Sequence, residues 1–300
     1  MKCSPALRLI ALAVLGLAFT VGLIAARGRQ QIPVHTPPSK LSPPYSFEPV
    51  EELSYEAVFS RLLLRNVSVA ELSFKAMRAP AESKSNHAAR DANANYRFTM
   101  ELASKGIVPR LFGVRFHQRV ESTVDPASFA MLRTTKLDEQ NERRRASEAV
   151  FDRNAGKIIW TERNPNDPAQ APRVVTSETK DAMQDIVSIF YFLRTRQLAV
   201  GQSFEIPISD SGRIFSIPVK VSDEKKGFKT ALGQVSTVRV DIEAFGRQRL
   251  LPGDGLLSVW LTNDARRIPV RAHVETDFGT LDIKLKRRTT GANSQSVAGD

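Results

Sequence analysis

Residues 181–196 read DAMQDIVSIFYFLRTR. Met183, Ile186, Val187 and Phe190 recur at spacings of three, one and three, with Leu193 close by, which is the pattern of one apolar helix face. The spacing predicts one central amphipathic helix over about residues 178–196, the only convincing helix of the region that follows the N-terminal apolar run. On both sides of it the chain alternates apolar and polar residues. The expected fold is therefore mainly β, a large antiparallel sheet or half-open barrel-like fold with the helix laid across it.

The alternation begins with Leu53, Tyr55, Ala57 and Phe59 and returns with Tyr96, Phe98, Met100 and Leu102. It appears again in Val114, Phe116 and Val120 around Gln118. Each is the period-two signature of a half-buried strand. Apolar parity switches between Val67 and Val69 on one side and Leu72, Phe74 and Ala76 on the other, which predicts a bulge or bend near Ala70. Three further strands are expected at 129–136, 143–152 and 157–162, the last two joined by a turn at Asn154, Ala155 and Gly156, followed by a loop over 164–172 (NPNDPAQAP). Beyond the helix the pattern is cleaner. Phe204, Ile206 and Ile208 lead through Asp210, Ser211 and Gly212 into Phe215, Ile217, Val219 and Val221. Val238 to Ile242, Leu257 to Leu261, Val270 to Val274 and Leu281 to Leu285 then follow as successive hairpin partners, with turns at Pro252 to Gly255 and at Asn263 and Asp264. A meander of this length must cover its apolar face and manage its edges, and the helix is the element available to do so.

Residues 9–26 (LIALAVLGLAFTVGLIAA) carry no charge and no proline and follow Lys2 and Arg8. A cleavable signal has an apolar core of about 7–15 residues and a membrane span needs roughly 17–25, so residues 1–29 are read as a signal peptide or an N-terminal membrane anchor. The remainder is expected to be periplasmic or otherwise extracytoplasmic, anchored in the inner membrane or released after cleavage. Residues 30–50 hold Pro33, Pro37, Pro38, Pro43, Pro44 and Pro49 and read as an extended linker. A single β-rich domain is expected over 51–288 and a frayed tail over 289–300.

The 42% hydrophobic and 25% charged content is that of a folded protein, and the net charge is +11. Arg143 to Arg145 form one basic run and Lys284, Lys286, Arg287 and Arg288 another, while most other basic residues stand singly on polar strand positions. No specific nucleic-acid partner is expected from that distribution. Cys3 is the only cysteine and precedes the apolar run, so a disulfide framework and a cysteine-ligated metal site are excluded.

Three segments of the second half resemble uncharacterised exported bacterial proteins of the family known as domain of unknown function 3108. They are DAMQDIVSIFYFLRTRQLAVGQSFEIPI (181–208), TALGQVSTVRVDI (230–242) and GLLSVWLTNDARRIPVRAHVETDFGTLDIKL (255–285). The first half, from SYEAVFSRLLLRNVSVAELSF (54–74), is similar more loosely. The resemblance implies an antiparallel β fold in the cell envelope with no known activity. The order of elements is also similar in outline to lipoprotein-carrier folds, in which an unclosed barrel wraps a helical plug around an apolar cavity.

No constellation of residues demands a reaction. His87, His117 and His273 share no metal-ligand spacing, and neither a Gly-x-Ser-x-Gly elbow nor a glycine-rich phosphate loop occurs. No cofactor, metal or catalytic residue is assigned. The leading expectation is a non-enzymatic envelope protein that binds a lipid or other amphipathic ligand, or serves as a periplasmic interaction module. The expected ligand-lining residues are Met183, Ile186, Phe190, Arg194, Arg196 and Trp260, with the two arginines placed to meet an anionic head group. The alternatives are an envelope hydrolase using paired carboxylates drawn from Asp185, Asp241, Asp254 and Asp264, or a structural scaffold.

Overall fold

The computed structural model describes residues 50–62, 64–79, 95–106, 109, 113–179 and 182–291. The segments expected to be an export or anchor segment and a linker, up to residue 49, with Cys3 and His35, and also His87 and the tail from residue 292, lie outside the described residues. Eight strands precede the helix: β1 (Val50–Arg61), β2 (Leu64–Ala79), β3 (Asn95–Ser104), β4 (Phe116–Val124), β5 (Met131–Gln140), β6 (Arg143–Asp152), β7 (Lys157–Arg163) and β8 (Arg173–Glu178). Six follow it: β9 (Ser203–Asp210), β10 (Arg213–Thr230), β11 (Gly233–Ile242), β12 (Gly255–Thr262), β13 (Pro269–Thr276) and β14 (Gly279–Thr290). The short strand β8, which follows the proline-bearing loop, was not foreseen from the alternation.

All fourteen belong to one antiparallel sheet in which every strand pairs with its sequence neighbour, except across the helix. The two series are joined through the first and last strands. Tyr55, Ala57 and Phe59 of β1 stand opposite Leu285, Ile283 and Leu281 of β14, so inward apolar residues meet across the join. The sheet's two edges are then β8 and β9, the strands on either side of the helical connection. The result is an unclosed barrel-like sheet whose one gap faces that connection.

The parity switch in β2 is a bulge. Ala57 pairs with Ala70 and Val58 with Ser68, leaving Val69 as the extra residue, and both Val69 and Ala70 are buried. β14 runs to Thr290, with Thr289 and Thr290 opposite Glu52 and Glu51, so the strand reaches beyond the expected domain end at 288.

At the gap the edges come together through a turn. Asp210 and Arg213 pair, and Ser211 and Gly212 between them both have positive φ, 51° and 73°, the mirror-image hairpin turn that suits twisted strands. Gly212 packs on β8 so closely that a Cβ there would lie 2.7 Å from the Val175 Cβ, and its carbonyl accepts a hydrogen bond from Ser177 Oγ at 2.7 Å.

The helix is shorter than its sequence pattern. α1 spans Ser188–Arg194, seven residues in place of the expected run over 178–196. The cause is nonlocal hydrogen bonding. Met183 C=O accepts from Met131 N–H of β5, and Gln184 bridges to β9 through Pro207 C=O and Ser209 N–H, so these backbone groups are committed to the sheet. Asp185 then starts the helical turn, its Oδ1 accepting from the N–H of Val187 (2.9 Å) and Ser188 (2.8 Å). The turn ends where Thr195 and Arg196 N–H bond back three residues, to Phe192 and Leu193 C=O.

Nor does α1 present one apolar face to one sheet. Ile189 and Leu193 join the core formed by β1, β2 and β9–β14, while Val187 and Tyr191 join a second cluster with Phe98, Val120 and Phe129. Met183, ahead of the helix, belongs to a third cluster with Met131, Ile158 and Trp160. The segment is thus a plug held from several sides. Among the described residues no helix is long and apolar enough to cross a membrane.

Candidate functional site

Inward positions of strands from both series, with the plug segment as a roof, surround an interior cavity of about 100 Å³. Its walls are apolar: Leu53 and Tyr55 of β1, Leu72 and Phe74 of β2, Met100 and Leu102 of β3, and Leu281 and Ile283 of β14. Ile186 and Phe190 face it from the plug and are half-buried, where Met183 and Leu193 are wholly buried. The rings over it are fixed edge to face, Phe190 on Phe74 at 5.6 Å and Phe74 on Tyr55 at 5.7 Å between centroids. Tyr55 donates its hydroxyl to Pro269 C=O at 2.8 Å, and burial pushes the phenol well above its ordinary pKa.

One wall residue is polar at both ends of its side chain. Gln118 is the inward residue of β4 between Phe116 and Val120, is 1% exposed, and lines the cavity. Among the described residues, neither its Nε2 nor its Oε1 has a hydrogen-bond partner. Asp138 is directly across on β5 and faces the same side of the sheet, yet makes no bond to it.

Arg194 lines the cavity at the end of α1, and its guanidinium is committed elsewhere. Nη1 and Nη2 donate to the two carboxylate oxygens of Glu51 at 2.6 and 3.2 Å, and Nε donates to Arg266 C=O at 3.1 Å. Arg288 donates to Glu51 Oε2 at 3.1 Å. Burial pushes the Glu51 carboxyl up, but the charge and hydrogen bonds of Arg194, with those of Arg288, outweigh it and hold the group below the usual glutamate range. The arginine expected to meet a head group is instead half of a buried ion pair.

The other expected lining residues lie outside this cavity. Met183 packs in the third cluster. Arg196 is buried with its guanidinium over the rings of Phe192 and Phe204, 5.0 and 5.7 Å from their centroids, and burial lowers its pKa. Trp260 follows Val259 and precedes Leu261, both inward, and so points to the outer face, where it lies against Arg271 at 5.0 Å and Phe228 at 6.2 Å. The structure therefore brings Ile186, Phe190 and Arg194 together and separates Met183, Arg196 and Trp260 from them. Gln118 and Glu51 were missed as site residues. Both carried a signal, a polar residue at the inward parity of an apolar alternation.

Three of the four candidate carboxylates have structural partners. Asp185 accepts from Ser122 Oγ at 2.6 Å and from Thr134 Oγ1 in addition to the two helix amides. Asp241 is held by Arg239 and Ser258, and Asp264 accepts from Thr262 Oγ1, Arg266 and the N–H of Arg267 within its turn. Asp254 sits exposed in the turn before β12. Among the described residues no three of His, Cys, Asp and Glu come together in a group able to hold a metal ion. The basic run opens onto a surface cleft of about 380 Å³ with Arg143, Arg144, Arg145, Arg163 and Arg173, in which Glu162 pairs with Arg145 at 3.1 Å.

A search among curated proteins finds no match. Among solved structures the chain is similar to a crystal structure of a β-barrel-like protein of domain of unknown function DUF1849 from Brucella abortus. The two share 10% sequence identity with a TM-score of 0.53, over 80% of this chain and 97% of that one. The likeness is one of fold. A family model described as protein of unknown function (DUF3108) matches residues 69–286, from the bulge of β2 to the last inward strand, and the chain belongs to that family.

Proposed function

We propose that this protein is a non-enzymatic binding protein of the cell envelope that takes a small apolar or amphipathic ligand in the cavity beneath α1. The observation that carries this reading is the cavity itself, a space of about 100 Å³ walled by Leu53, Leu72, Met100, Leu102 and Ile283. Close-packed interiors leave few voids larger than a water, and an apolar cavity of about 150 Å³ stays dry and takes up benzene. The volume sets the ligand's size. Sites for drug-sized molecules span about 300–1,000 Å³, so this one accepts a molecule of a few carbons or the end of a longer chain. Envelope location rests on the uncharged run over residues 9–26 and the proline-rich segment after it.

The reading is tested with the full chain. Native mass spectrometry and thermal unfolding with pentane, cyclopentane and longer alkanes should show uptake and a rise in Tm, since a ligand bound only by the native state stabilises it by about 2.7 kcal/mol at one hundred times its Kd. An unshifted Tm at saturation with every member of the series rejects the binding reading. Fusion of a reporter after Glu51 tests the address separately, and activity of a cytoplasm-only reporter there rejects it.

A further inference from the structure

Gln118 is at odds with the rest of the cavity wall. An amide buried without partners is destabilising, and a leucine at this position of β4 would avoid that cost while keeping the apolar residues Phe116, Val120 and Val124 of the same inward row. Exchanging the positions of the amide oxygen and nitrogen does not help, because neither end is bonded. The side chain brings one acceptor and two donors to the wall of a cavity whose other lining residues are apolar apart from Arg194 and Arg271.

We infer that Gln118 is the polar anchor of the cavity, and that the ligand is a small neutral amphiphile with a terminal group that both donates and accepts, a carboxamide or a primary alcohol, on an apolar body of a few carbons. This rests on the binding reading above and adds the ligand's chemistry. A carboxamide fits best, since two primary amides pair through two antiparallel N–H···O bonds and satisfy Oε1 and one Nε2 proton together. A carboxylate supplies acceptors alone and leaves Oε1 facing lone pairs, and an ammonium supplies donors alone and leaves the Nε2 protons unmet. A charged end has a further obstacle. The guanidinium that lines the cavity, Arg194, is already matched by Glu51, so a charge brought inside would lose its hydration without a counter-ion.

The experiment compares pentane, butan-1-ol, butyramide and butyrate, which are similar in size, on the full chain and on Gln118→Leu by titration calorimetry or ligand-observed NMR. Gln118→Met serves if the leucine variant does not fold. The quantity read is the ratio of the pentane Kd to the butyramide Kd, which removes the differing hydration of the free ligands when it is compared between proteins. That ratio should fall tenfold or more on replacing Gln118, equivalent to about 1.4 kcal/mol, and butyramide should bind the wild-type chain more tightly than butyrate does. A fall of less than tenfold, or butyrate binding as tightly as butyramide, overturns the anchor role. If pentane still binds in that case, the cavity reading survives and Gln118 merely holds an internal water. If none of the four ligands binds either protein, both inferences fail together.

Discussion

Arg194 of the plug helix and Glu51 of the first strand, 143 residues apart in sequence, form a two-pronged ion pair from which water is excluded, each side chain no more than 3% exposed. The pair joins the only described helix to the strand that links the two halves of the sheet, next to the cavity. Desolvating two charges is costly, so such a pair adds little net stability while making the loss of either partner expensive. Arg194→Met should therefore cost about 3–5 kcal/mol in urea unfolding, and Glu51→Leu combined with Arg194→Met should recover most of it. A single-variant loss below about 1 kcal/mol would show the pair to be solvated.

The same pair gives the protein an acid-sensitive term. Glu51 has a lower pKa in the folded protein than in the unfolded chain, so on acidification the unfolded chain takes up this proton first. Its contribution to stability is complete above the unfolded-state value and is lost as pH falls through the folded-state value. Unfolding midpoints measured from pH 7 down to pH 3 should fall more steeply for the wild-type chain than for Glu51→Gln, which has no proton to gain. Parallel curves would assign the acid sensitivity to other carboxylates.

The gap between β8 and β9 is narrowed by Gly212, whose positive φ disfavours a side chain and whose close approach to Val175 leaves no room for one. Gly212→Val should destabilise by about 1–3 kcal/mol through backbone strain alone, and the clash should push the hairpin turn off β8. Hydrogen exchange is the discriminating measurement. Amides of β8 should lose protection while those at the β1–β14 join keep theirs, and uniform loss across the sheet would mean that the turn is not what holds the edge.

Strand order and inward faces were legible where strands repeat their apolar residues at a period of two, as β1, β3 and β9–β14 do and β8 does not, and even the bulge at Val69 showed as a change of parity between Val67 and Leu72. The helix was legible in existence but not in extent. Met183 and Gln184 lie within the helical pattern, yet their backbone groups bond to Met131, Pro207 and Ser209, and no local pattern announces partners so far away in sequence. The site was read in part for the same reason. Ile186 and Phe190 follow from the helical period, whereas the fate of Arg194 depended on Glu51, a contact without a local signal. Gln118 was visible as a polar member of a largely apolar inward row, and its meaning required knowing that no described residue bonds to its amide.

Phe190 connects that partial reading to function. Its ring stands edge to face on Phe74 above the cavity and is half-buried, whereas Leu193, one turn on, is fully buried in the core of β1, β2 and β9–β14. Removing either ring or side chain leaves a void, with different neighbours. Leu193→Ala opens a space enclosed by packed core, so it should cost about 2–5 kcal/mol and leave ligand binding unchanged. Phe190→Ala merges the vacated volume with a cavity that already exists, so the loss should fall below the roughly 3–5 kcal/mol of a fully buried phenylalanine. The enlarged site should also accept longer chains, moving the alkane of tightest binding from pentane toward heptane or octane in thermal shift on the full chain. If Phe190→Ala leaves the preferred chain length where it was, Phe190 does not roof the ligand site. If Leu193→Ala shifts it instead, the ligand enters the neighbouring part of the core around Leu193.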